Sequence, residues 1–419
     1  MISYIRFIEL LETLLLDPLF LISQGYSPSC STKIEHFDEY LSSSKRPRHN
    51  EDFNGHVIWS HEEPLNSHDL SDLKNLNNLT KYPEQRNDCR LWRDIGVISE
   101  VFYDVNFHVF ANSEISKLKK DWLKSFANGN GGTLYHSYHD WYFFFHGFVC
   151  LDWYRDFKKI YNPGNLEITK VFMCLNHLIS DKRNYRLHLL SHLYEKDIIQ
   201  YGLVSCPNLS IELIKKELLQ RTSPLSTEAK KHVYTNLSKN ADPLIIDATD
   251  YNKASADIPY YSYTALWNIV TETIYYDEKL HLTEKIFKPI VTKRPFILVG
   301  APENLAYLRS YGFKTFDRWI DESYDSEHDP DRRMSMIADE ISKLCHLPWN
   351  ELMTMYQDMH EVLEYNHQHF FGDFKNIIVE ELVENFKTCT KIYNLHKSER
   401  YRLPIENLDF EKIKETLLD

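Results

Sequence analysis

Glycine is scarce in this sequence, at 12 of 419 residues, and neither glycine-rich phosphate signature is present. Without a GxxxxGK[ST] loop, or a GxGxxG run opening a helix, ATP- and NAD-dependent enzymes are disfavoured. No GxSxG nucleophile elbow occurs either, although Cys–His and Ser–His–Asp arrangements of other kinds stay open. Positive charge is in deficit: 48 Lys and Arg against 61 Asp and Glu give a formal charge of −13. Binding to phosphate backbones draws on clustered basic residues, so a general nucleic-acid partner is disfavoured. The seven cysteines stand at 30, 89, 150, 174, 206, 345 and 389, with no CxxC pair. That scatter suits reduced thiols in a cytoplasmic protein better than a disulfide framework. No run reaches the roughly 18 to 20 uninterrupted apolar residues of a spanning helix.

What is present is core-forming material. Hydrophobic residues make up 43% of the chain and aromatics 14%, enough for packed interiors. The length predicts two domains with appendages. The opening MISYIRFIELLETLLLDPLFLI is interrupted by Arg6, Glu9, Glu12 and Asp17, which points to an amphipathic helix packed on the body. Residues 25 to 55 read as a linker, in which KRPR (45 to 48) is either solvated or a nuclear signal.

HVIWS (56 to 60) and VNFHVFA (105 to 111) read as strands, with a helix from Ser113 to about Phe126. The aromatic block SYHDWYFFFHGFVCLDWYRDF reads as buried packing between elements. Its His139, Asp140 and His146, with His136 just before it, offer metal ligands, the wall of an acceptor site or core packing. NPGN (162 to 165) punctuates the chain as a boundary. Beyond it VFMCLN, PLIIDA, ALWNIVTET, PFILVG and FKTF read as strands. They alternate with helices over NYRLHLLSHLYEKD, TEKIFKPIVTK and PENLAYLRSYG, which Gly312 ends. Such alternation indicates a parallel sheet covered on both faces. Helical stretches close the chain, the last with Phe370, Phe374, Ile377, Ile378, Leu382 and Phe386 on one side.

The segment VTETIYYDEKLHLTEKIFKPIVTKRPFILVG (270 to 300) follows a strand, polar loop, helix, strand logic. Open parallel sheets bind ligands at the carboxyl ends of their strands, where such loops cluster. Thr283, Glu284 and Lys285 fall at the helix N-terminus, which favours an anionic group. The same three residues also make a plain helix cap. The longer string resembles the donor-binding segment of the α-1,3-fucosyltransferases, in which a Glu-Asn-Ser loop precedes T-E-K and a strand ending in Gly. Glu272 stands in place of the first Glu, but Thr273 and Ile274 follow it, and the spacing to Glu284 is longer. In FMCLNHLISDKRNYRLHLLSHL the resemblance implies a pyrophosphate role for Arg186, with Asn176 at the strand end beside the same ligand. A surface helix cation is the alternative for Arg186. In IWSHEEPLN (58 to 66) it implies a catalytic base at Glu62 or its neighbour Glu63, where a solvated acidic turn is the alternative. GFKTFDRWIDESYD (312 to 325) is similar to uncharacterised glycosyltransferase-like proteins of large DNA viruses.

The resemblance implies an α/β chain of two Rossmann-like domains facing across a cleft, the GT-B type. Its parts are an N-terminal helix and linker (1–55), an acceptor domain (56–163), a donor-binding domain (164–366) and C-terminal helices (367–419) returning to the first domain. The expected activity is inverting, metal-independent transfer from a nucleotide-diphosphate sugar to a glycan or other hydroxyl acceptor. No cofactor, metal or membrane span is expected. A non-catalytic nucleotide-sugar-binding or structural protein of the same fold, or a glycosyltransferase acting on modified DNA bases, are the alternatives.

Overall fold

The computed structural model describes residues 19–24, 56–61, 108–112, 115–116, 138–142, 144–158, 167–179, 181–220, 223–246, 257–276, 278–396 and 408–418. The chain is a mixed α/β protein that divides into two compact units. One comprises Met1–Phe148 and Asn376–Asp419, the other Val149–Lys375. The NPGN segment, KRPR, Glu62 and Glu63 lie outside the described residues.

The first unit holds a four-stranded parallel sheet in chain order: β1 (Leu19–Gln24), β2 (His56–His61), β3 (His108–Asn112) and β4 (Tyr138–Tyr142). Leu19 pairs with His56, Val57 with His108, and His108 with Tyr138. Two expectations change here. The LFLI end of the opening segment is a strand paired with β2, not a helix. Ile115–Ser116 is extended where a helix was expected to begin. The aromatic block resolves into β4 and the helix α1 (Phe145–Trp153).

The second unit carries the strands β5 (Lys170–Leu175), β6 (Gly202–Ser205), β7 (Ala265–Thr271) and β8 (Phe296–Val299). All are parallel, in the order β8-β7-β5-β6. Every residue of β7 is buried, including Trp267, so both faces of the sheet are covered. Gly202 is required where β6 starts, since a Cβ there would stand 2.4 Å from the Phe172 ring.

The helices are α2 (Tyr185–Glu195), α3 (Ile211–Leu219), α4 (Thr227–Leu237), α5 (Glu284–Val291), α6 (Asn304–Ser310), α7 (Pro330–His346), α8 (Trp349–Asp358), α9 (His360–Phe371), α10 (Asp373–His396) and α11 (Phe410–Leu418). Ser210 and Ser226 cap α3 and α4 by accepting from Leu213 and Ala229 N–H. Phe287 of α5 packs on Phe370 and Phe374, with ring centroids 5.1 and 5.5 Å away. The closing apolar stripe is split between α9 and α10, and Ile377 is exposed while Ile378, Leu382 and Phe386 are buried.

Two expected strands are absent. PLIIDA contributes a single antiparallel bridge, Cys206 with Leu244, and Ile245 is exposed. FKTF makes no ladder because side chains take its main-chain groups. Asn366 accepts from Lys314 N–H and donates to its carbonyl, both at 2.8 Å, and Glu322 accepts from Phe316 N–H at 2.7 Å. Gly312, at φ 90°, turns the chain out of α6 in the left-handed region that favours glycine.

Candidate functional site

In the order β8-β7-β5-β6 the chain runs outward in both directions from the β5/β7 pair. That is a topological switch point, where open α/β sheets leave a crevice at the carboxyl ends of their strands. Asn176 follows β5 directly and is almost wholly buried. Its N–H donates to Ser205 of β6 at 2.8 Å, and its Oδ1 accepts from the Thr271 hydroxyl of β7 at 3.0 Å. One residue, through its main chain and its side chain, thus ties three strand ends together.

Arg186 sits in the first turn of α2 at 3% exposure. Its guanidinium donates to the carbonyls of Leu178 (2.7 Å), Thr271 (2.8 Å) and Glu272 (3.2 Å), and its Nε–H to the Tyr185 hydroxyl (3.3 Å). A planar fork suits such work as well as it suits phosphate. The surface-cation alternative is therefore overturned, and Arg186 braces the β5 and β7 loops from within.

Glu272 caps β7 and is 1% exposed. Its carboxylate accepts from the Thr283 hydroxyl (2.6 Å), Thr283 N–H (3.2 Å) and Thr273 N–H (3.3 Å). Thr283 is the N-cap of α5, so the negative charge at this helix N-terminus comes from the chain itself. Lys285 Nζ donates to the Thr283 hydroxyl at 2.9 Å, the Glu284 carboxylate at 3.0 Å and the Thr273 hydroxyl at 3.4 Å. The result is a relay from Lys285 through Thr283 to Glu272. The Lys285 side chain is 30% exposed, against 12% for Glu284. Lys285 is therefore the cation of this group that solvent and a ligand reach.

Tyrosines that composition alone does not distinguish frame the loop. Tyr185 stacks on Tyr275 at 4.5 Å, and its hydroxyl donates to the Glu272 carbonyl. Arg333 of α7, 1% exposed, lies 4.3 Å over the Tyr275 ring and donates to the Tyr275 carbonyl at 2.5 Å. The Tyr276 hydroxyl donates to Asn184 Oδ1 at 2.8 Å. Burial pushes the hydroxyl pKa of all three tyrosines up, so they stay neutral donors.

The tract 312–325 is occupied with closing its own domain. Glu322 accepts from Arg309 (3.0 Å), Thr315 (2.6 Å) and Phe316 N–H (2.7 Å). Asp325 accepts from the N–H groups of Leu305 and Ala306 at the start of α6. Burial raises both carboxyl pKa values, against the pull of those donors. Arg294 likewise serves structure, donating to the Tyr263 carbonyl at 2.8 Å.

The structure thus brings Asn176, Arg186, Glu272, Thr283, Glu284 and Lys285 to one end of one sheet. His136 lies outside the described residues. His139 and Asp140 are adjacent on β4. Among the described residues no helix is long and apolar enough to cross a membrane. A scan against protein-family models and a search of curated proteins give no match to this chain.

Proposed function

We propose that the chain is a glycosyltransferase of the GT-B plan, with two Rossmann-like domains and a nucleotide-diphosphate sugar bound by Val149–Lys375. The supporting observation is the gathering of Asn176, Glu272, Thr283 and Lys285 at the switch point of a parallel sheet. In this reading Lys285 exchanges its Glu284 partner for a diphosphate oxygen. Arg186 acts as a positioning residue for the loops, and Glu272 holds Thr283 and with it the start of α5. Glu62 is the proposed base that takes the acceptor proton, with Glu63 beside it.

A nucleotide-sugar-binding protein without turnover is the second reading. It is favoured by the engagement of both described carboxylates here, Glu272 by Thr283 and Glu284 by Lys285. A thermal-shift screen across GDP-, UDP- and ADP-sugars, with CMP-sugars as a monophosphate control, tests the shared core of both. At least one diphosphate sugar is expected to raise the Tm, and no shift with any of them overturns both. Release of the nucleoside diphosphate on adding hydroxyl acceptors then separates enzyme from binder.

A further inference from the structure

One cluster of nitrogen ligands has no part in the donor-site reading. His188 and His192 are four residues apart on α2, hence on one face, and His232 of α4 stands opposite them. One ring nitrogen from each lies within 4.8 Å of the others. The rings of His192 and His232 are 4.2 Å apart, and those of His188 and His192 4.8 Å. His188 and His192 are buried and His232 is partly so.

The hydrogen-bond accounting around His232 is specific. Ser191 has one hydroxyl hydrogen, and it goes to the His188 carbonyl at 2.7 Å. Ser191 Oγ is also 2.7 Å from His232 Nδ1, so that nitrogen is the donor and carries the proton. His232 Nε2 faces Glu195 Oε2 at 2.9 Å. His192 Nδ1 approaches the same oxygen at 3.3 Å. Both nitrogens are buried and neither makes a well-directed hydrogen bond. Two buried, unpartnered ring nitrogens converging on one carboxylate oxygen form a ready set of ligands for a cation. On the far side Asp331 Oδ1 lies 3.9 Å from His188 Nδ1, an acidic neighbour of the cluster.

We propose that His188, His192 and His232, closed by the Glu195 carboxylate, form a zinc(II) site that staples α2 to α4. Three nitrogens and one carboxylate oxygen make a four-coordinate set proper to zinc. Bonds of about 2.0–2.1 Å place tetrahedral ligands about 3.3 Å apart, so the rings close inward by about 1 Å through their side-chain torsions. Glu195 has a side chain 47% exposed, which gives the ion its way in.

The test uses the full chain, stripped with a chelator and titrated with cobalt(II), then with zinc(II). One equivalent of cobalt is expected to give the strong visible absorption of a tetrahedral centre, zinc to displace it, and zinc to raise the Tm. Loss of an outer-shell partner costs metal sites about 10–100-fold in affinity, so Ser191→Ala is expected to raise Kd about tenfold. Loss of a ligand in His232→Gln should exceed about 100-fold. His328→Gln, on the surface, is the control and should bind as the parent does. The His232 side chain is 20% exposed, so this variant decides the matter if His192→Gln fails to fold. Absence of one-to-one binding, or parent-like binding by folded His232→Gln, overturns the site.

Discussion

Removing the Arg186 guanidinium leaves the carbonyls of Leu178, Thr271 and Glu272 without these donors in a buried place. Arg186→Ala is therefore expected to lower stability by about 3 kcal/mol or more, read as an earlier urea midpoint, since each hydrogen bond to a charged group contributes about 1.5–3 kcal/mol. A parent-like midpoint would return Arg186 to direct ligand duty. The histidines of α2 give a second residue-level expectation. The folded pKa of His188 is lowered from 6.5 to about 3, and that of His192 to about 4, first by burial. The unfolded chain then binds more protons, so stability is full above about pH 6.5 and is lost as pH falls towards those values. In metal-free buffer His188 alone costs about 2 kcal/mol by pH 5. His188→Gln should flatten this part of the stability profile, and an unchanged slope would refute the assignment. Arg186 and Lys285 were legible as cations near a strand end. Which of them faces solvent was not, because that depends on carbonyls 85 residues or more away in the chain.

Among the elements, the strands and helices flanking the switch point were readable because β5, β7 and β8 are continuous apolar runs and α5 has a helical apolar face. FKTF looked the same to local patterning, yet Asn366 and Glu322 satisfy its main chain from outside any sheet. That difference is tertiary and left no mark on four residues. β6 was missed because GLVS is too short to show periodicity. The H-x3-H spacing on α2 was visible, but His232 joins it only through the packing of α4. At this scale Glu322→Ala is the informative change. It leaves Phe316 N–H and the Thr315 hydroxyl without their charged acceptor, and should cost about 3 kcal/mol in chemical denaturation. A loss below about 1 kcal/mol would mean that water replaces the carboxylate freely.

For the whole molecule, donor binding is proposed for Val149–Lys375 and proton removal for Glu62 in the remaining part of the chain. A general base typically contributes about 10²–10⁴-fold to rate and little to ground-state affinity. Glu62→Gln should then lower kcat by at least about a hundredfold with donor Kd unchanged, while Glu63→Gln stays mild. A crippled Glu63→Gln with an active Glu62→Gln would move the base by one residue. The most direct test of the central claim is calorimetric titration of the nucleotide sugar selected by the thermal screen into the parent and into Lys285→Ala. The account predicts at least about a tenfold weaker Kd in the variant, the scale of one charge-assisted hydrogen bond, with its unfolding midpoint nearly unmoved. Equal affinity in the two proteins would contradict a donor site at Lys285.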